Sequence, residues 1–109
     1  LQNAAIRDYA EMAARTDSYR QFLTRLSRLP DGDEQIAYAY TVLVRMYREG
    51  SIPLKTADTP REIECKVKNG TADGQSIEKI TAAFEAVRYA AEAQTVLSDM
   101  CAIIKRYLF

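Results

Sequence analysis

The sequence predicts an all-α protein, folded as a compact bundle of four to five helices. Apolar residues recur at intervals of three and four, the spacing of one helix face, and no run alternates apolar and polar residues over the length of a strand. Helix breakers are concentrated in three short stretches, Pro30–Gly32, Gly50–Pro53 and Asn69–Gly74. The segments between them are longer than ordinary strands, so each is expected to hold one helix or two.

The first segment, residues 2–29, is predicted to form either one long helix or two. One apolar stripe ends at Ala13 and another begins at Tyr19. Between them, Ser18 and Gln21 have the spacing of a capping box, in which two side chains satisfy backbone amides at a helix start. Both alternatives stay open. Residues 1–30 are assigned to an N-terminal helix or helix pair and residues 31–109 to a helical domain, within a single domain overall.

The second helix is predicted over Glu34–Glu49, with Asp31 or Asp33 as its cap. Its apolar face consists of Ile36, Tyr40, Leu43, Val44 and Tyr47. Arg45 lies on the opposite side and Tyr38 lies off the apolar line. Both of these side chains are therefore expected to face solvent.

The clearest helix start in the chain is the sequence Thr59-Pro60-Arg61-Glu62. Thr59 is predicted to accept a hydrogen bond from the backbone amide of Glu62, whose side chain reaches back to the amide of Thr59. Pro60 occupies the first helical position, where its missing N–H costs nothing. Such a cap stabilises a helix by about 1 kcal/mol, and this short third helix is expected to end near residue 70.

The last segment is predicted to be helical from about Ser76 onward. Its apolar stripe consists of Ile77, Ile80, Phe84 and Val87. No helix breaker occurs within residues 90–108. Because an unbroken helix of about thirty residues is long for a small domain, a bend or short break near Thr95 is expected, with one continuous helix as the alternative.

The composition argues against an enzyme. The chain of 109 residues has no histidine, which removes the commonest general base and the commonest metal ligand. Carboxylates are present, but their pattern indicates no pocket. We therefore expect no catalytic residue, no metal site and no cofactor. Fifteen basic residues balance fifteen acidic ones, so no overall field attracts nucleic acid.

Cysteine content and hydropathy restrict the cellular setting. Cys65 and Cys101 are the only cysteines, and both fall in apolar helical patterns. They are predicted to be small buried thiols in a reducing compartment, with one disulfide as the alternative. No run of apolar residues is long enough to span a bilayer. The chain begins at Leu1 without a signal-peptide profile, so we expect it to be a fragment of a longer protein.

Two motifs in the last two-thirds of the chain are shared with a known family. An aromatic-containing helix ends in glycine and precedes the threonine-proline-arginine-glutamate start; a final helix then carries Thr-x-x-Phe-Glu-x-x-Arg-Tyr. The matching positions are Tyr40, Tyr47, Gly50, Thr59, Pro60, Arg61, Glu62, Ile80, Thr81, Phe84, Glu85, Arg88 and Tyr89. The run from Ile36 to Leu108 thus resembles the C-terminal helical domain of unknown function of transglutaminase-like multi-pass membrane proteins from bacteria and archaea. Ala90 stands where that family usually has glycine.

The resemblance implies a non-catalytic accessory domain on the cytoplasmic side of the cell membrane. In such proteins the transglutaminase-like part is a separate extracytoplasmic domain, and the helical domain follows the last membrane span. The membrane would be reached through a preceding segment, with residues 1–30 as a membrane-proximal linker. The expected partner is another protein, or another domain of the same chain, recognised by a helix surface. The alternative is a free-standing small helical regulator that binds protein or nucleic acid.

Arg61, Arg88 and Tyr89 are the predicted binding residues. Capping does not explain Arg61, and Glu64 or Glu85 is its expected ionic partner. Arg88 lies at the edge of an apolar stripe, where it would form an ion pair with Glu62 or Glu85, or bind a partner's carboxylate or an anionic lipid headgroup. Structural roles are assigned to Thr59, Pro60, Glu62, Phe84 and Glu85.

A locally basic stretch lies in the N-terminal segment. Its members are Arg15, Arg20, Arg25 and Arg28. Their spacing distributes them around a helix, which is typical of a solvated surface; beside a membrane the same charges would attract anionic lipid.

Overall fold

The computed structural model describes residues 9–30, 32–86 and 90–108, with side chains described outside 86–93. These residues form six helices and no strand, which confirms the all-α bundle. The helices are α1 (residues 9–14), α2 (Tyr19–Ser27), α3 (Gly32–Glu49), α4 (Pro60–Gly70), α5 (Gly74–Ala86) and α6 (Ala90–Tyr107). There are six rather than four or five because the N-terminal segment and the last segment each hold two helices.

The N-terminal segment is interrupted between α1 and α2. Ser18 is the N-cap of α2: its backbone is extended, and its side-chain oxygen accepts a hydrogen bond from the amide of Gln21 at 3.1 Å. The side chain of Gln21 accepts from the amide of Asp17 at 2.7 Å, one residue earlier than a capping box requires. These bonds satisfy amides that a helix start leaves without partners, so they stabilise the break.

Helix α3 is the central element of the bundle and packs against α2, α5 and α6. Its buried residues are Ile36, Tyr38, Ala39, Tyr40, Val42, Leu43, Met46 and Tyr47, and they lie on more than one side of the helix. The helix begins at Gly32, so Asp33 lies in its first turn and is not the cap. The other predicted cap, Asp31, lies outside the described residues.

Two side chains of α3 that were expected in solvent are covered instead. Tyr38 is fully buried: its ring stacks on Phe22 with centroids 5.5 Å apart, and its hydroxyl lies 2.8 Å from Oγ1 of Thr16. The guanidinium of Arg45 donates to the backbone carbonyl oxygens of Thr16 and Ala13. Both predictions were wrong because α1 and α2 cover the side of α3 that its main apolar stripe leaves out.

The start of α4 is the predicted capping box. Oγ1 of Thr59 accepts from the amide of Glu62 at 3.2 Å, and Oε1 of Glu62 accepts from the amide of Thr59 at 2.8 Å. Pro60 is the first helical residue, as expected. The helix ends at Gly70, where a Cβ would lie only 2.7 Å from Cδ1 of Ile52. Glycine therefore lets this buried loop residue pack against the end of α4.

The last segment divides earlier than predicted. Helix α5 ends at Ala86 and α6 begins at Ala90, with residues 87–89 outside the described part of the chain. The bend expected near Thr95 is wrong, because that residue lies within α6. The core positions of α6 are Val96, Leu97, Met100, Ile103 and Ile104. All of them follow Thr95 at helical spacing, and the helix itself begins before Thr95.

The two cysteines differ in exposure. Both thiols are free, as predicted, but Cys65 is exposed on α4 whereas Cys101 is half-buried on α6. The expectation that Cys65 is buried was wrong. The residue before Cys65, Glu64, has the buried side chain instead, and two ion pairs hold it in place.

A single hydrophobic cluster joins the N-terminal helices to the rest of the bundle. Ala13 of α1 and Phe22 and Leu26 of α2 belong to the same buried cluster as Leu43 of α3 and Ile104 of α6. The described part of residues 1–30 thus shares its core with the helices that follow. None of the helices in the described part of the chain combines the length and apolar character that a bilayer crossing needs.

Candidate functional site

Arg61 forms two ion pairs, one within α4 and one that joins α4 to α5. Its Nη1 lies 3.0 Å from Oε1 of Glu64, and its Nη2 lies 2.9 Å from Oε1 of Glu85. The sequence predicted Glu64 or Glu85 as the partner of Arg61, and in the structure Arg61 forms an ion pair with each of them. The charge of Glu85, followed by the contacts with Glu64, raises the pKa of the Arg61 guanidinium, although partial desolvation opposes the shift. The capping motif therefore supplies a cross-link between helices as well as a helix start.

These pairs belong to a larger cluster, which we call the ion-pair face. Its members are Arg61, Glu64, Lys68, Glu78 and Glu85. Nζ of Lys68 lies 3.2 Å from Oε2 of Glu64 and 2.6 Å from Oε2 of Glu78. The hydrogen bond and the charge of Lys68 hold the pKa of Glu78 below its ordinary value, and the two carboxylates raise the pKa of Lys68. Sequence reasoning missed Lys68, although its position four residues after Glu64 was a usable signal.

Tyr40 lies beneath the ion-pair face. Its ring stacks on Phe84 with centroids 4.1 Å apart and planes 14° from parallel. Its buried hydroxyl has no hydrogen-bond partner among the described residues. Burial raises the pKa of Tyr40, and the charges of Glu85 and Glu64 add to the shift, so the phenol stays neutral. Phe84 thus has the packing role that the sequence assigned to it.

A second polar junction lies where the α4–α5 loop meets α3 and α6. The hydroxyl of Tyr47 donates to Oδ2 of Asp73 at 2.7 Å, and Nη2 of Arg106 lies 2.6 Å from Oδ1. Oγ1 of Thr71 accepts from the amide of Asp73 at 3.0 Å, which orients the loop. Burial and the bond to Asp73 raise the pKa of Tyr47. This junction was not predicted, because its members are far apart in sequence.

The other two predicted binding residues, Arg88 and Tyr89, lie outside the described residues. The proposed ion pairs of Arg88 therefore stay predictions. Of the three residues singled out for binding, the structure describes only Arg61, and it places the guanidinium between two carboxylates of its own domain.

A cleft of about 440 Å³ lies between α2 and α6, over the beginning of α3. We call it the α2–α6 groove; its walls include Tyr19 and Leu26 of α2 and Leu97 and Cys101 of α6, and Gln35 of α3 lies at its floor. Nε2 of Gln35 donates to the carbonyl oxygen of Leu26 at 3.1 Å, which ties the end of α2 to α3. The apolar stripes of both walls were visible in the sequence, but nothing there indicates that these two helices lie side by side.

Positive charge is concentrated at one end of the groove. Nζ of Lys105 lies 5.8 Å from the ring centroid of Tyr19, within cation–π range. Arg20, the next residue on α2, is exposed. Neither Lys105 nor Arg20 forms an ion pair with another residue that the structure describes. Arg25 is different, because its guanidinium turns away to Oγ1 of Thr16 at 2.9 Å.

The titratable side chains in the groove walls are Tyr19 and Cys101, which lie close to each other. Burial raises the pKa of the Cys101 thiol. Burial, together with the neighbouring thiol, raises the pKa of Tyr19. Both groups therefore stay protonated at neutral pH. Within the described residues, no three histidine, cysteine or acidic side chains come together to hold a metal ion.

Comparisons with family models, with curated proteins and with solved structures find no match for this chain. The resemblance to the helical domain of transglutaminase-like membrane proteins stays a prediction from the sequence motifs.

Proposed function

We propose that this chain is a non-catalytic accessory domain that recognises another protein, or another domain of its own protein, through a helix surface. In line with the resemblance, it would act on the cytoplasmic side of the cell membrane as part of a membrane-associated transglutaminase-like protein.

The observation that carries this proposal is the α2–α6 groove together with Lys105 and Arg20, two cations that have no ionic partner in the described part of the chain. Leu23, which is 41% exposed, lies on the same face of α2 as Tyr19 and Leu26, because the three are spaced by four and three residues. Exposed apolar and aromatic side chains beside a concave surface are typical of sites that bind a protein segment. The cations of the ion-pair face differ from those of the groove, because each of them already lies against two carboxylates of its own domain.

The chemistry of the groove supports binding over catalysis. General acid–base catalysis needs a group that exchanges a proton near the working pH, and a cysteine nucleophile needs a thiolate. The raised pKa values of Cys101 and Tyr19 remove both abilities at neutral pH. The other polar side chains that line the groove, such as Gln35 and Ser98, are uncharged.

The experiment is to recover the native, full-length protein from its own cells after crosslinking and to quantify its partners by mass spectrometry. Two variants locate the binding surface. Ser98→Arg places a long side chain in the groove, and Ala82→Arg adds the same side chain to the exposed surface of α5 as a matched control. We expect a membrane-bound species larger than 12.3 kDa. Its partners should be lost from the Ser98 variant and kept by the Ala82 variant.

Three other outcomes would contradict the proposal in different ways. Partners recovered equally with both variants would reject the groove as the recognition surface. A soluble species near 12.3 kDa without a protein partner would reject the accessory-domain role. A soluble species that carries nucleic acid would favour the alternative, a free-standing helical regulator.

A further inference from the structure

We propose that the α2–α6 groove binds an amphipathic helix of a partner protein, whose apolar side chains fill the groove and whose acidic side chain meets Lys105 and Arg20. This inference rests on the proposed function and names the class of partner that the groove accepts.

The first argument is the shape of the groove. Tyr19 at the start of α2 lies beside Cys101 and Lys105 in the second half of α6, and both helices line the same cleft. Helix α2 has nine residues, which extend about 13 Å, or between two and three helical turns. With α3 beneath both walls, a third helix laid between them would continue the packing of the bundle. Helix-in-groove binding of this kind is a common mode of peptide recognition.

The second argument is the arrangement of apolar groups. Tyr19, Leu23 and Leu26 share one face of α2. Tyr19 and Leu26 line the groove with Leu97 and Cys101 of α6, and Leu23 is exposed between them along α2. A partner helix with apolar residues at the same spacing would cover this face and bury the exposed part of Leu23. Amide and hydroxyl groups at the other positions of the groove can bond to polar side chains along the edge of such a helix.

The third argument is charge. Helix α2 has no acidic residue, and the cations next to its start, Arg15, Arg20 and Lys105, outnumber the nearby carboxylate of Asp17. On α6, Asp99 is not among the residues that line the groove and lies about 60° around the helix from Ala102. A partner with an acidic residue at this end would gain an attraction that a neutral or basic helix does not.

The test is a peptide selection on the whole folded chain, which assumes no partner sequence. A phage library of random peptides of roughly fifteen residues, long enough to form a helix, is selected on the immobilised protein. We expect enrichment of peptides with apolar residues at positions i, i+4 and i+7 and with an acidic residue at one end. A synthetic copy should bind Lys105→Glu about tenfold more weakly than wild type. It should bind Lys79→Glu unchanged, because that variant makes the same charge change on the exposed side of α5.

A second readout locates the bound peptide. Cys101 lines the groove, whereas Cys65 is exposed on α4. The peptide should therefore slow alkylation of Cys101 by iodoacetamide and leave the rate at Cys65 unchanged, as followed by mass spectrometry. Circular dichroism of each variant confirms that the helices are intact.

The contrary results separate this inference from the proposed function. Peptides without an excess of acidic residues, or with equal affinity for Lys105→Glu, would overturn the acidic partner and leave an interaction role standing. Peptides that leave Cys101 unprotected would reject the groove. If no peptide is enriched, the helix-in-groove inference fails, whereas the crosslinking experiment on the native protein decides independently whether the domain has a partner.

Discussion

On the ion-pair face, Arg61 and Lys68 each lie within 3.2 Å of two carboxylates, whereas at the α2–α6 groove Arg20 and Lys105 have no ionic partner among the described residues. Both regions are helical surfaces of one small bundle. They differ in what the charges accomplish: the first set joins α4 to α5, and the second leaves a positive field at the end of an open cleft. We infer that the first region serves the fold and the second is available to a partner.

Burial explains why the paired region contributes to the fold despite its surface position. An exposed ion pair adds little to stability, because water screens it and ordering two long side chains costs entropy. Glu64, however, has a side chain that is only 10% exposed, so removal of its cations would leave a poorly solvated carboxylate. At the groove, Lys105 is exposed and its ammonium group remains hydrated, so an unpaired charge costs little there.

The largest expected effect is the loss of stability when Asp73, which accepts from Tyr47 and pairs with Arg106, is removed. Asp73→Ala should lower the free energy of unfolding by about 2 kcal/mol, because it leaves the buried hydroxyl of Tyr47 without its acceptor. Urea denaturation followed by circular dichroism measures the change. Asp99→Ala is the matched control, since that carboxylate forms no ion pair with the described residues. Equal losses in the two variants would show that the junction at Asp73 contributes nothing specific.

Two adjacent residues of α6 sharpen the comparison. Arg106 pairs with Asp73, whereas Lys105 faces the groove. Arg106→Ala should cost about 1 kcal/mol or less, because the guanidinium is largely exposed and Asp73 keeps its bond from Tyr47. Lys105→Ala should leave stability unchanged and weaken peptide binding. Thermal unfolding measures stability, and fluorescence anisotropy measures peptide binding. If Lys105→Ala loses as much stability as Arg106→Ala, the two cations do not differ in their contribution to the fold.

The features that could be predicted from the sequence are local. The capping box of Thr59 and Glu62 depends on residues three apart, and the pairing of Arg61 with Glu64 follows from helical spacing. The same reasoning predicted the apolar stripe of α5, whose residues Ile77 and Ile80 are fully buried. In these cases the backbone geometry of one helix determines which side chains meet.

The features that could not be predicted depend on how distant segments pack. Tyr38 lies off the main stripe of α3, and only the arrival of α1 and α2 buries it. The junction of Tyr47, Asp73 and Arg106 joins residues at least 26 positions apart. The groove likewise requires α2 and α6 to lie side by side, which no periodicity within either helix indicates. Because α3 lies at the centre of the bundle, several of its sides are buried. A pattern that looks for one apolar face therefore predicts too few of its core residues.

The smallest expected effect concerns Arg61, the residue for which the sequence predicted binding and the structure provides intramolecular partners. A double-mutant cycle of Arg61→Ala and Glu85→Ala should give a favourable coupling between α4 and α5, smaller than the loss in Arg106→Ala and reduced by added salt. The coupling is small because the side chain of Arg61 is 59% exposed and solvent screens it.

The decisive comparison is the effect of Arg61→Ala on binding. If the ion-pair face serves the fold, this variant loses some stability and still binds the groove-selected peptide and the native partner as wild type does. If it instead loses the partner while the coupling to Glu85 is zero, Arg61 is a binding residue and the paired face is itself a recognition surface. The two regions have different roles only if Arg61, which already pairs with Glu64 and Glu85, cannot also bind a carboxylate of a partner.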